Sequence, residues 1–231
     1  MSLDIPQLSI DYAEVFLIGD SSLIVHAWSE KAKKEMLAKQ TKAARGGREA
    51  KDPMADFRSS LYQFPDGGYG FPSVAFKASA VQAITSVSGI TKVAARQAFH
   101  VTGEMIEMKG AFPGILMQQD LARIIGPKPS MREDMVRVGM GTADLRYRGE
   151  FWPWAVRLSL RYNTRALSLA QILNVMNTAG FATGVGEWRS EKDGLHGAFH
   201  VAETQEEIEA YLSKHGVQEA SEESVKLPKK R

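Results

Sequence analysis

The chain has 231 residues, 44% hydrophobic and 24% charged, with 29 basic against 27 acidic side chains for a formal net charge of +2. These values are those of an ordinary globular protein and exclude global disorder, collagen-like repeats and a low-complexity fibre. The absence of cysteine excludes disulfides, thiol nucleophiles and thiolate metal sites, and no stretch approaches the ~18 uncharged apolar residues that span a bilayer.

The near-neutral total hides two opposed runs. From Lys31 to Arg48 there are seven Lys/Arg and one Glu, and from Glu203 to Glu223 seven Glu and one Lys. Both fit solvated faces; together they also fit a basic segment that meets a polyanion or an acidic partner. Met1 to Gln7 lacks a basic n-region and an apolar h-region, so no secretory signal is read and a cytoplasmic location is expected.

In chain order, Ala13–Ile18 and Leu23–Trp28 are apolar runs with β-branched and aromatic members, joined by the turn residues Gly19-Asp20-Ser21-Ser22. They read as one bent strand or two short ones. Ser29 precedes a lysine-rich helical stretch that Gly46-Gly47 stops. A short helix over 53–62 follows, capped by Asp52 with Pro53 at its first position. Val74, Phe76, Ala80, Val81 and Ile84 are expected to form a buried helical stripe behind Ser73 as N-cap. Residues 91–98 read as a further short helix and 99–107 as a strand.

Residues 109–150 carry six glycines and three prolines with no sustained period. They read as a long insertion with short helices near 119–125 and 132–138. Phe151–Tyr162 alternates apolar and basic residues, the clearest half-buried strand in the chain. Ser168 caps a helix that Gly180 is expected to end, a strand is expected over 197–202, and a helix over Gln205–Lys214.

The order strand, helix, strand, strand, helix, strand predicts an α+β fold of ferredoxin-like, RRM-like βαββαβ type. A single domain over 1–202 would carry insertions at 29–70 and 109–150, with an acidic helical tail and a basic C-terminus over 203–231. Such a sheet offers a face on which nucleic acid can lie. Arg157 and Arg161 project from one side of the Phe151–Tyr162 strand, about 13 Å apart at ~3.3 Å per residue, with the small Ser159 between them. Lys77 sits one turn into its helix, where the N-terminal amides and the dipole already favour an anion. The loop Gly184-Val185-Gly186 can bring backbone amides close to a phosphate. Next to it, Trp188 either stacks a base or packs on the sheet, and Arg189 can pair a phosphate. Lys31, Lys34, Lys42, Arg45 and Arg48, with Lys33 and Lys39, spread like charge over more than one helix face, which is self-repelling without a partner. Arg132, Arg137, Arg146 and Arg148 are looser candidates, because Glu133, Asp134 and Asp144 stand beside them.

Catalytic motifs are thin. There is no phosphate loop and no nucleophile elbow, and no cofactor or metal is expected. His196 and His200 are four apart on a predicted strand, about 13 Å, too far for joint chelation.

Two segments resemble the RAMP superfamily, the proteins that build CRISPR effector complexes and process their guide RNA. Phe71-Pro72-Ser73-Val74-Ala75-Phe76-Lys77 is similar to the family's entry into its first helix. Gly184-Val185-Gly186-Glu187-Trp188-Arg189, with Gly194 and Gly197, is similar to its glycine-rich loop before the last strand. The nearest match is the backbone-type subunit, and a viral or mobile-element relative is equally compatible. The resemblance implies a thumb-like hairpin at 109–150, extra helices at 29–70, single-stranded RNA or DNA as ligand, and self-assembly along it as a homo-oligomer or filament, with other complex subunits as further partners and no membrane. It also places His26 where processing relatives carry a general base for metal-independent RNA cleavage. A third expectation is a viral anti-defence or structural protein that binds protein through the basic helix.

Overall fold

The computed structural model describes residues 8–28, 36–37, 40–41, 51–87, 89–107, 116–137 and 143–217. The basic run, with Lys31, Lys34, Lys42, Arg45 and Arg48, lies outside the described residues, as does the acidic tail beyond residue 217. The fold is mixed α+β around an antiparallel sheet.

Strand β1 (Ile10–Gly19) is the longest and is followed by β2 (Leu23–Val25). Helix α1 (Pro53–Ser59) begins as the sequence predicts, with the Asp52 carboxylate accepting from the amides of Met54 and Ala55. It ends before Tyr62, which opens the short pair β3 (Tyr62–Gln63) and β4 (Tyr69–Pro72). Helices α2 (Ser73–Ala83) and α3 (Lys92–Ala98) come next, the latter capped by Thr91. The expected strand over 99–107 is broken at Gly103 into β5 (Phe99–Thr102) and β6 (Met105–Glu107).

The segment 109–150 departs from expectation. The helices predicted near 119–125 and 132–138 are strands: β8 (Leu121–Ile125) and β9 (Ser130–Arg137). A short β7 (Leu116–Gln118) precedes them and β10 (Ala143–Phe151) follows. Burial alternates with period two along β8, with Ala122 and Ile124 buried and Arg123 between them half-buried. Period two is the strand signature, and the glycines and prolines around these runs masked it. Then come β11 (Ala155–Asn163), α4 (Leu169–Ala182), β12 (Phe199–Ala202) and α5 (Gln205–Lys214).

The centre of the main sheet is the antiparallel pair β1 and β11, in register from Ile10↔Asn163 to Ile18↔Ala155. β12 pairs the far side of β1, and β5 pairs the far side of β11. The upper end of β11 passes to β8, β4 and β3. A second sheet is ordered β2-β10-β9. Helices α2 and α4 pack together against one face of the main sheet, over Val156, Leu158 and Leu160. Edge-to-face contacts run from Tyr62 through Phe71 and Phe76 to Phe199.

α4 opens with a reciprocal capping box between Ser168 and Gln171. It does not stop at Gly180. A Cβ there would lie 1.7 Å from the Phe199 carbonyl oxygen, so this glycine lets the helix touch β12.

The second face of the sheet was expected to be open, and it is open only in part. α5 folds back over it and buries Ile208 and Leu212 against Ile18, Ala155 and Ala202. The Tyr211 hydroxyl, whose pKa burial pushes up to about 12, donates to the Gly19 carbonyl and pins the helix there. The half of this face near the start of β1 stays uncovered. No described helix is long and apolar enough to cross a membrane.

Candidate nucleic-acid interface

On a pleated sheet, residues paired in register share a face. The uncovered half therefore presents cross-strand rows. One row is Tyr12, Arg161 and His100; the next is Glu14, Ser159 and Thr102; Phe16 and Arg157 follow, at the rim of α5. Arg157 lies 3.9 Å from the Glu14 carboxylate. Arg161 is exposed and has no carboxylate partner among the described residues.

Lys77 reaches this row around the β5 edge. Its ammonium donates to the Arg96 carbonyl at 2.9 Å and to His100 Nδ1 at 3.2 Å. It thus serves the C-terminal end of α3 rather than reinforcing the start of its own helix. An ammonium only donates, so His100 Nδ1 accepts and the ring is neutral. Burial and the charges of Lys77 and Arg161 lower the His100 pKa, and burial lowers that of Lys77. Lys77 and Arg161 thus flank a neutral His100 on one edge, with no carboxylate partner among the described residues.

The glycine loop lies elsewhere. The Gly197 amide donates to Ser22 and the Glu187 amide to Ile24, just past the C-terminal end of β1. The Tyr12 row is six residues back from Ile18, about 20 Å away at ~3.3 Å per residue. Gly184, Gly186 and Gly197 adopt φ of +69°, +80° and +69°, so the loop uses their conformational freedom. Three of its amides, however, have internal partners: Gly184 donates to Ala179, Val185 to Gly197 and Glu187 to Ile24. Gly184 is buried. Arg189 is held by Glu191 at 2.7 Å and by the Gly186 carbonyl. Trp188 is 43% exposed and takes a left-handed φ of +53°, so it is not part of the core. The structure thus brings Lys77 and Arg161 together, with Arg157 on the same face, and sets Gly184, Gly186, Trp188 and Arg189 apart from them. His196 bonds Ser22 Oγ and His200 bonds Asp20, and among the described residues no three ligand-type side chains gather as for a metal.

A second polar cluster gathers Arg132, Arg148, Asp134 and His26, which the sequence shows singly but not together. Register puts His26 (one residue beyond β2), Arg148 and Arg132 on one face of the small sheet, with Ile24, Glu150 and Ser130 in the next row. Arg148 is only 2% exposed, bonded to Asp134 at 3.1 Å and facing Glu187 at 3.5 Å, and its Nε has no partner. Arg132 bonds Asp134 and Glu150, and Ser22 Oγ donates to Glu150 at 2.7 Å. The network ties the glycine loop to the β9–β10 hairpin. The charge alternation within 130–137 and 143–151 was the available signal, hidden because 132–138 read as helical.

His26 has no hydrogen-bond partner among the described residues. Burial, followed by the Arg148 charge, lowers its pKa, with Glu187 opposing. The unfolded chain therefore takes up this proton first on acidification. The stabilisation is complete above the ordinary histidine value of about 6.5 and is lost as pH falls below it. The drop in thermal midpoint between about pH 7.5 and pH 5 is expected to be smaller in His26→Gln than in the wild type.

No family model and no curated protein matches the chain. Among solved structures, the crystal structure of Cmr6 from Pyrococcus furiosus is similar at 12% identity and a TM-score of 0.41, over 85% of this chain and 100% of that one.

Proposed function

We propose that this chain is a non-enzymatic subunit that binds single-stranded nucleic acid, RNA foremost, through its phosphate backbone. One observation carries the reading: Lys77 and Arg161 stand together on either side of His100, with no carboxylate partner among the described residues. Clustered like charge destabilises the free protein and is relieved by a polyanion.

The order β12-β1-β11-β5, antiparallel throughout with α2 and α4 on one face, supports a ferredoxin-like core of RAMP type over 1–202. The β9–β10 hairpin falls where a thumb is expected. Its outer face exposes Met131, Met135 and Leu145, the apolar surface available for self-assembly along the strand. The test is anisotropy of a labelled single-stranded RNA across a salt series. Affinity should fall steeply between about 50 and 200 mM salt; a flat curve overturns the reading.

A second reading, metal-independent RNA cleavage, rests on the unpartnered His26 beside Arg148, since a neutral imidazole can take a 2′-hydroxyl proton. Cleavage that survives chelator and disappears in His26→Ala would establish it; intact RNA removes it.

A further inference from the structure

We infer that Tyr12 is a base-stacking residue, so that the ligand of the open half-face is a strand with unpaired bases, its bases over β1 and its phosphates along the β11–β5 edge. The inference rests on the proposed function and fixes the form of nucleic acid.

Tyr12 is 72% exposed near the start of a paired strand and makes no ring contact with another described residue. A tyrosine in a strand is explained by propensity alone. Its row is not: its immediate cross-strand partner is Arg161, and the next is His100, held by Lys77. At about 4.8 Å between strands, the Tyr12 and His100 backbones lie some 10 Å apart. An aromatic surface thus borders a cationic edge, and a nucleotide has the same two parts. Ile10, 45% exposed on the same face, extends the apolar border along β1. β12 pairs β1 only from Phe16 onward, so no described strand flanks Tyr12 on its other side.

The far end of the face is closed to phosphate. α5 covers it and exposes Glu203, Glu206, Glu207 and Glu209 on and beside that helix. A duplex keeps its bases inside the stack and could offer Tyr12 only its backbone, whereas a single strand can place a base face on the ring.

The probes are a single-stranded oligonucleotide and a phosphodiester strand of the same length without bases, each bound to the full chain at one salt concentration. The wild type should prefer the base-bearing strand about ten-fold or more. Tyr12→Phe should keep the preference. Tyr12→Leu should lose it with an unchanged salt slope, because no charge has been removed. Its thermal midpoint should stay at the wild-type value, since the ring contributes nothing to the core. Equal wild-type affinity for both strands overturns the inference, as does a preference that survives in Tyr12→Leu; in both cases a steep salt dependence leaves the backbone-binding proposal standing. Binding of neither strand overturns both.

Discussion

Arg148→Ala is expected to lower the unfolding free energy by about 3 kcal/mol, read from the midpoint of a urea transition with the slope unchanged. Removing one partner of a buried ion pair typically costs about 3–5 kcal/mol, because the other is left charged and out of water. The lower end applies for two reasons. Asp134 keeps Arg132 at 2.9 Å, and the side chain of Glu187 is 43% exposed, so water takes over part of what the guanidinium supplied. The deficit falls mainly on the Asp134 oxygen that faces Arg148 at 3.1 Å. Arg148→Met combined with Asp134→Leu should recover most of the loss, since no buried charge is then stranded. A single-variant loss below about 1 kcal/mol would mark the pair as equivalent to an exposed one and refute its role as a clamp. Because Glu187 belongs to the glycine loop, Arg148→Ala should also speed amide exchange at Val185 and Glu187, whose donors bond Gly197 and Ile24.

The parts of the fold legible in the sequence are those where one physical signal dominates locally. The alternation of Val156, Leu158 and Leu160 with Arg157 and Arg161 placed both arginines correctly on one face, because the pleat leaves no other arrangement. The helix over Gln205–Lys214 was legible, but not what it would cover. An apolar stripe specifies burial, not the partner, so the closing of half the sheet face stayed hidden. Tyr12 was missed because the apolar run starts at Ala13, whereas the strand starts at Ile10. Hydrogen bonding to β11, rather than hydrophobicity, carries the strand through Asp11 and Tyr12. The glycine loop shows the opposite failure. Its composition announced backbone freedom, and the freedom is real, but it serves packing against Ile24 and Gly197, with the amides of Gly184, Val185 and Glu187 already engaged. Composition cannot distinguish a turn that cradles a ligand from one that cradles its own chain.

Replacing Lys77 and Arg161 together by glutamine is expected to weaken single-strand binding most at low salt and to flatten the salt dependence. Each phosphate neutralised on a single strand contributes about 0.7 to the slope of log K against log salt, so the pair should remove about 1.4. Arg189→Gln provides the contrast: its guanidinium is already paired with Glu191, and its loop lies at the other end of β1, so the slope should hardly change. Arg157→Gln should fall between, because Glu14 at 3.9 Å compensates it only loosely. Glutamine at 77 can still donate to the Arg96 carbonyl, which separates the charge from the structural hydrogen bond. Proton linkage gives an independent check. Burial and then the charges of Lys77 and Arg161 depress the His100 pKa in the free protein, and a bound phosphate opposes that shift, so binding should take up a proton and strengthen on acidification. His100→Gln should abolish that increment and leave the slope above pH 7 in place. An unchanged slope in the double variant, or a loss in Arg189→Gln equal to that in Arg161→Gln, would move the contact surface from the β5 edge to the glycine loop. Lys77 and Arg161 have no carboxylate partner among the described residues, whereas Arg189 already has Glu191.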